Sequence, residues 1–225
     1  MTVGFYTVLR RDPQHFLHAG ALVGSVHASM PGCPIVQFTD IDTPEVEGVT
    51  RVQRLPDGPM LERRLEHYAS CSGEWLLLDT DTCVAKDVRD EFTQTFDIAI
   101  ADRNWKGIPQ GDETMHTMPF NTGVVFSRSQ PFWRDVLTTW RTYPKEQRDW
   151  MSEQRAVYAV IRTGQYRIRI LPGEIFNYPP RKADDSCVTA AIVHFKGGQR
   201  KQWFTDRIVQ SWRVTPNVTP LVGQA

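Results

Sequence analysis

An apolar run that stops abruptly at two carboxylates constrains this chain most. Glu74-Trp75-Leu76-Leu77-Leu78 leads straight into Asp79-Thr80-Asp81. The run predicts a buried strand. In an open α/β sheet, ligands bind beyond the carboxyl ends of the strands. Two acceptor-only side chains one residue apart at such an end suit a hard divalent cation, Mg2+ or Mn2+, which can in turn hold a diphosphate. The same pair also fits a strand-end turn in which Asp79 or Asp81 bonds nearby backbone N–H groups.

The surrounding pattern predicts what such a strand would sit in. Residues 4–9 are aromatic and β-branched and predict a first strand. Asp12 then offers an N-cap and Pro13 a first helical residue for a helix carrying Phe16, Leu17, Leu22, Val23 and Val26, stopped at Pro31-Gly32. Strands are expected over 34–39 and 49–55, and a helix over 60–71. A first half ordered β-α-β-β-α-β, with an acidic pair at a strand end, is a nucleotide-binding α/β layout. Further strands are expected over 96–101, 122–126, 166–171 and 190–195, and helices over 131–143 and 150–163. Residues 102–118 predict a long loop of the kind that carries function, in which Trp105 could stack on an acceptor. Trp75, Trp133, Trp140 and Trp150 are expected in the core or in helix packing. His15 and His18, three apart with no third ligand in view, are expected on a wet helix face. The catalytic domain is expected to span 1–214, with a poorly ordered tail over 215–225.

Composition removes several classes. The net charge is +0 over 225 residues, so nothing global points to nucleic acid or to an acidic membrane. No apolar run reaches the length of a membrane span, and the first residues resemble a strand, not a signal peptide. Cys33, Cys71, Cys83 and Cys187 are widely spaced with no Cys-x-x-Cys pair, which predicts reduced structural thiols and a cytoplasmic setting.

Four segments, in order, resemble the glycogenin and lipopolysaccharide-galactosyltransferase type of nucleotide-sugar transferase. They are Gly20-Ala21-Leu22-Val23-Gly24-Ser25; Leu76 to Val84 with its Asp-x-Asp; Phe120-Asn121-Thr122-Gly123-Val124-Val125-Phe126; and Val193-His194-Phe195-Lys196-Gly197, followed by Lys201 and Trp203. Glu153-Gln154 resembles the family's acidic-Gln pair, and Leu171-Pro172 with Asn177 its Leu-Pro…Asn segment. The resemblance implies a GT-A, Rossmann-like α/β fold with a mixed central sheet flanked by helices. It implies transfer of a hexosyl or pentosyl group from a nucleoside-diphosphate sugar, expected to be a UDP-sugar, to an acceptor hydroxyl with retention.

The same resemblance assigns residues. Asp79, Asp81 and His194 would hold Mn2+ or Mg2+. Thr7, Val8, Leu9, Arg64, Thr80, Gly123, Gly197, Arg200 and Lys201 would contact the donor. Glu153, Gln154 and Asn121 would carry the chemistry. Arg200 stands where the family's Lys is usual and Lys201 comes one later, so which of the two points inward is open. Each assignment has a plain structural alternative: strand packing for Thr7, Val8 and Leu9, a surface helix charge for Arg64, a turn for Asn121 and Gly123, an exposed helix start for Glu153, a core histidine for His194, and a solvated basic turn for Arg200 and Lys201. The acceptor could be a glycan, a protein, a lipid-linked saccharide, a small molecule or a hydroxylated nucleic-acid base. Two other functions compete. One is a haloacid-dehalogenase-type phosphatase using Asp79 as nucleophile, with Asp184-Asp185 as its late acidic pair. The other is a sugar-nucleotide-binding protein without turnover.

Overall fold

The structure, a computed structural model, describes residues 1–9, 13–103 and 118–214. Asp12, Trp105 and the tail from 215 therefore lie outside the described residues. The elements are β1 (Thr2–Tyr6), α1 (Pro13–Ser29), β2 (Ile35–Thr39), β3 (Arg51–Arg54), α2 (Met60–Ser70), β4 (Trp75–Leu78), β5 (Thr82–Val84), β6 (Ile98–Asp102), β7 (Phe120–Ser127), α3 (Gln130–Thr142), α4 (Ser152–Ile161), β8 (Ile168–Leu171), the single turn α5 (Gly173–Phe176), β9 (Ile192–His194) and α6 (Gly198–Val214).

Seven strands form one mixed sheet in the order β3-β2-β1-β4-β7-β6-β8. β3, β2, β1 and β4 run parallel, while β7 is antiparallel to both β4 and β6. The apolar run of β4 now has its reason. Leu76 and Leu78 point into one core with Val3, Phe5, Leu22 and Phe126. Leu77 and Trp75 point into the other, with Phe38, Leu65, Tyr68 and Trp133. A central strand with helices on both faces has no solvent side, so alternation is lost. α3 shows the helical counterpart. Ser129 caps it by accepting from Phe132 N–H (3.2 Å), and Phe132, Trp133, Val136, Leu137 and Trp140 form its buried stripe.

Three expectations need correction. β1 ends at Tyr6, not at residue 9, because Leu9 N–H has left the ladder and donates to Thr43 Oγ1 (3.0 Å). The segment after β9 is the helix α6, not a turn. Its Phe204 stacks flat on Phe195, with ring centroids 4.4 Å apart. The wet helix face is wrong for His18, which is fully buried, lies against Phe204 and meets Thr205 Oγ1 at 3.0 Å. The four cysteines are free, as expected.

His67, buried on α2 against Phe38, gives a stability prediction. Burial pushes its pKa down from 6.5 to about 4. The unfolded chain therefore takes up a proton near pH 6.5 that the folded chain refuses until about pH 4. Stability is expected to fall on acidification through that window, by up to about 3 kcal/mol from this group. Urea unfolding of wild type and His67→Phe at pH 7.5 and 4.5 checks it: the variant should lose less stability between the two.

Candidate active site

The sheet topology gathers the acidic pair and its neighbours at one edge. β7 runs opposite to β4, so its beginning lies beside the end of β4, and Asp79 N–H donates to Gly123 O (2.9 Å). The chain then turns tightly, with Thr82 N–H and hydroxyl both bonded to Asp79 O (3.2 and 2.7 Å), and enters β5. β5 pairs antiparallel with β9, which sets Thr82 opposite His194, and Phe195 N–H closes on Asp81 O (2.8 Å). A histidine more than a hundred residues away is thereby held next to both aspartates.

The turn uses main-chain atoms of Asp79, and the two carboxylates face side chains. His194 Nε2 lies 3.2 Å from Asp81 Oδ1 and 3.7 Å from Asp79 Oδ2. One ligand atom from each of Asp79, Asp81 and His194 fits within 4.8 Å of the others. On the far side of the ring, Nδ1 donates to Asn177 Oδ1 (2.7 Å), which leaves Nε2 as the ring nitrogen that faces the carboxylates. Gly123 has no Cβ where one would meet His194 and Asp79. Two hard oxygen donors, one imidazole nitrogen fixed in the ligating tautomer, and space kept open behind them fit a divalent cation.

Cations surround this cluster. Arg64 bonds Asp79 Oδ1 (2.9 Å) and Glu153 Oε1 (3.0 Å). Lys201 Nζ lies 3.3 Å from Asp81 Oδ2 and donates to His15 Nε2 (2.8 Å). Burial raises the Asp81 carboxyl, but the His194 ring and the Lys201 ammonium outweigh it and hold Asp81 well below the usual carboxylate range. Glu153 goes the other way: burial pushes it up, against Arg64. Lys196 is pushed down from 10.5 to about 8, by burial and then by Arg103 and Arg200.

Together these groups line a cleft of about 580 Å3. Among the described residues, five cations (Arg64, Arg103, Lys196, Arg200, Lys201) face three carboxylates (Asp79, Asp81, Glu153) across it. That excess suits an anion more highly charged than a single carboxylate, such as a diphosphate.

The structure sorts the sequence-predicted residues. Asp79, Thr80, Asp81, Asn121, Glu153, Gln154, His194, Gly197, Arg64, Arg200 and Lys201 all line the cleft. Lys201 reaches Asp81, whereas the Arg200 guanidinium is spent on Pro180 O (2.7 Å) and Lys196 O (3.4 Å). Arg64 is no surface charge, and Glu153 is no exposed helix start, being only 2% exposed. Asn121 Oδ1 accepts from Gly123 N–H (2.9 Å), and Gln154 Oε1 accepts from Arg103. Thr7, Val8, Leu9 and Gly123 are not on the lining; Tyr6, at the end of β1, is. Trp150 contradicts its expected burial, standing 72% exposed at the cleft mouth. Arg103, Lys196 and Tyr6 went unassigned in the sequence, and His15 was expected only on a wet helix face. Only Lys196 had a signal, its place inside the His194–Gly197 run.

Asn177 supports the candidate cation site without belonging to its ligand set, so its removal has a defined effect. Asn177→Leu leaves Nδ1 without its acceptor and the ring free to change tautomer. Mn2+ affinity, read by calorimetry, is expected to fall about 10–100-fold.

The profile of a family described as nucleotide-diphospho-sugar transferase matches residues 73–202. No curated protein matches the chain. Solved structures are similar over nearly its whole length. The galactosyltransferase LgtC, in complex with donor and acceptor sugar analogs, is 14% identical, with a TM-score of 0.59 and 98% of each chain covered. The apo form of the glycosyltransferase GlyE from Streptococcus pneumoniae TIGR4 is 16% identical, with a TM-score of 0.60, over 99% of this chain and 65% of that one. A glycosyltransferase involved in glycosylation of the major capsid of PBCV-1 is 14% identical, with a TM-score of 0.55, over 90% of this chain and 98% of that one.

Proposed function

Since the chain belongs to the nucleotide-diphospho-sugar transferase family and has the GT-A glycosyltransferase fold, we propose that it moves a sugar from a UDP-sugar to an acceptor hydroxyl with retention. The observation that carries this reading is the Asp79, Asp81 and His194 cluster beside Lys201 and Arg64. The three would hold Mn2+ or Mg2+, which when bound neutralises charge on the diphosphate.

The chain's own residues do the rest. Lys201 Nζ, held by Asp81 and His15, is fixed at the edge of the cation cluster and offers positive charge to the diphosphate as it leaves. Arg64, clamped between Asp79 and Glu153, keeps the Asp79 carboxylate in place. Glu153, nearly buried, acts in this reading by orienting Arg64 and by placing negative charge behind the anomeric centre. Asn121, anchored through its carbonyl oxygen, keeps its amide N–H groups for sugar hydroxyls; Gln154, anchored at its oxygen by Arg103, donates one amide N–H to Met151 Sδ (3.9 Å) and has the other for a hydroxyl. In the transfer, the bond from the anomeric carbon to the diphosphate oxygen breaks. A bond to the acceptor oxygen forms, and the departing diphosphate takes the acceptor's proton. The UDP donor and the retention follow from the family resemblance in the sequence.

The phosphatase reading loses its second acidic pair, because neither Asp184 nor Asp185 is on the cleft lining. Asp185 instead accepts from the Tyr178 hydroxyl (2.8 Å) and from Arg181 N–H (2.9 Å). Among the described residues no helix is long and apolar enough to cross a membrane.

A thermal-shift panel of nucleoside diphosphates and their sugars, each with and without Mn2+, tests the reading. Stabilisation by UDP and one UDP-sugar only when Mn2+ is present is the expected result, and for a ligand at 100 times its Kd it amounts to about 2.7 kcal/mol. No shift with any nucleotide overturns it. Donor hydrolysis separates an enzyme from a protein that only binds.

A further inference from the structure

The chain buries Trp75, Trp133 and Trp140 at 7%, 0% and 2% exposure, yet leaves Trp150 at 72%. An indole left in water forgoes about 1.5–3 kcal/mol of burial, so its position calls for an explanation. Trp150 lies in the segment leading into α4, three residues before Glu153 and four before Gln154. It lines the catalytic cleft, and it also lines a second cavity of about 570 Å3. Met60 and Leu61, in the first turn of α2, likewise belong to both cavities. The two spaces therefore meet along an edge made of Met60, Leu61 and Trp150.

The second cavity has the volume of a small-ligand site, and its lining sets apolar and aromatic side chains beside a few charged groups. The apolar and aromatic part of the lining is Pro59, Met60, Leu61, Trp140 and Trp150. The charged groups on its lining are Lys145, Arg148 and Asp149. Arg148 is committed to the protein: it donates to Tyr143 O (2.9 Å) and Arg141 O (2.8 Å) and lies 4.8 Å from the Trp140 ring centre. Asp149 pairs with Arg155 (3.0 Å). Among the described residues no row of cations that would follow a phosphate backbone lies on this lining, and the chain's net charge is zero. The chemistry fits a neutral, amphipathic ring.

We propose that the second cavity is the acceptor subsite and takes a saccharide, with the apolar face of one sugar ring laid on Trp150. This rests on the transferase reading above. The acceptor hydroxyl enters the cleft over the Met60–Leu61 edge, on the side where Gln154 stands. Lys145, exposed on the same lining, meets hydroxyls of the same saccharide.

The test uses the full chain with Mn2+ and the donor selected by thermal shift. The acceptors are p-nitrophenyl glycosides of glucose, galactose, mannose, N-acetylglucosamine and xylose, beside a single-stranded oligonucleotide containing 5-hydroxymethylcytosine. At least one glycoside is expected to be glycosylated. Trp150→Ala should raise its KM at least tenfold and shift the ratio of transfer to donor hydrolysis toward hydrolysis by a similar factor, and Trp150→Phe should restore most of both. An unchanged KM in Trp150→Ala overturns the subsite. So does glycosylation of the oligonucleotide alone, or donor hydrolysis with no glycoside accepted; these three leave the transferase reading standing. Absence of both nucleotide binding and donor hydrolysis in the wild type removes that reading, and the subsite with it.

Discussion

Asp81→Ala is expected to lower sugar transfer by at least about 1000-fold while leaving the protein folded. The loss follows from what Asp81 touches. Its carboxylate faces His194 Nε2 at 3.2 Å on one oxygen and Lys201 Nζ at 3.3 Å on the other. Removing it takes away one cation ligand and the anchor of the ammonium that faces the leaving diphosphate. Electrostatic contributions of this kind are worth several kcal/mol in a transition state, and each 1.4 kcal/mol is about tenfold in rate. The fold should survive, because the β5–β9 ladder uses main-chain atoms and Phe195 N–H bonds the Asp81 carbonyl, which alanine keeps. Lys201 retains His15, and His194 retains Asn177. A destabilisation of about 1–3 kcal/mol is expected, a fall in Tm of roughly 3–10 °C. Asp81→Asn separates charge from shape: it keeps the volume and should lose nearly as much activity. Mn2+ titration, melting curves and transfer rates on the two variants check this together. Wild-type transfer by either one would remove Asp81 from the site.

Much of the arrangement around Asp81 was legible in the chain, for identifiable reasons. β4 is read easily because it is buried on both faces and carries four large apolar residues in a row. The carboxylates stand out because they follow it without a break. Asn121 and Gly123 are legible as a polar-and-small pair opening another buried strand. What the chain hides is made by tertiary contact. β5 has three residues, too few to show a period, and exists by pairing with β9. α6 opens on Gly198-Gln199-Arg200-Lys201, which reads as a polar turn, and its docking through Phe204 on Phe195 and His18 becomes visible only in three dimensions. The same docking converts His15 from a surface histidine into the partner of Lys201. Trp150 misleads in the opposite direction, since an indole in a helical pattern reads as core. Local pattern reports burial well and the angle of approach of a distant element hardly at all.

The second large effect comes from an atom the protein does not have. A Cβ at position 123 would lie 2.3 Å from His194 Cε1, 2.7 Å from Asp79 Oδ2 and 2.8 Å from His194 Nδ1. Contacts this short force something to move, and neither neighbour is a loose end. The His194 ring is held at Nδ1 by Asn177 and sits opposite Thr82 in the β5–β9 pair. The Asp79 carboxylate is held by Arg64, and its N–H by Gly123 O itself. Gly123→Ala must therefore rotate the ring off Asn177 or push β7 away from β4, and either change spreads the three ligand atoms. Overpacking of this kind costs about 1–3 kcal/mol in stability. An ångström of misplacement in a catalytic group costs about 100-fold in rate. Transfer should thus fall by about 100-fold or more, with weaker Mn2+ binding. Gly24, on α1, is the control. A Cβ there meets nothing within 4 Å, so Gly24→Ala is expected to stabilise the helix by about 0.5–1 kcal/mol with transfer unchanged. If Gly123→Ala transfers sugar and binds Mn2+ as the wild type does, the cluster of Asp79, Asp81 and His194 is not where the cation binds. If it fails while Gly24→Ala gains stability, the bare backbone at 123 is part of the site, reserving the space in which an imidazole and two carboxylates can converge on one ion.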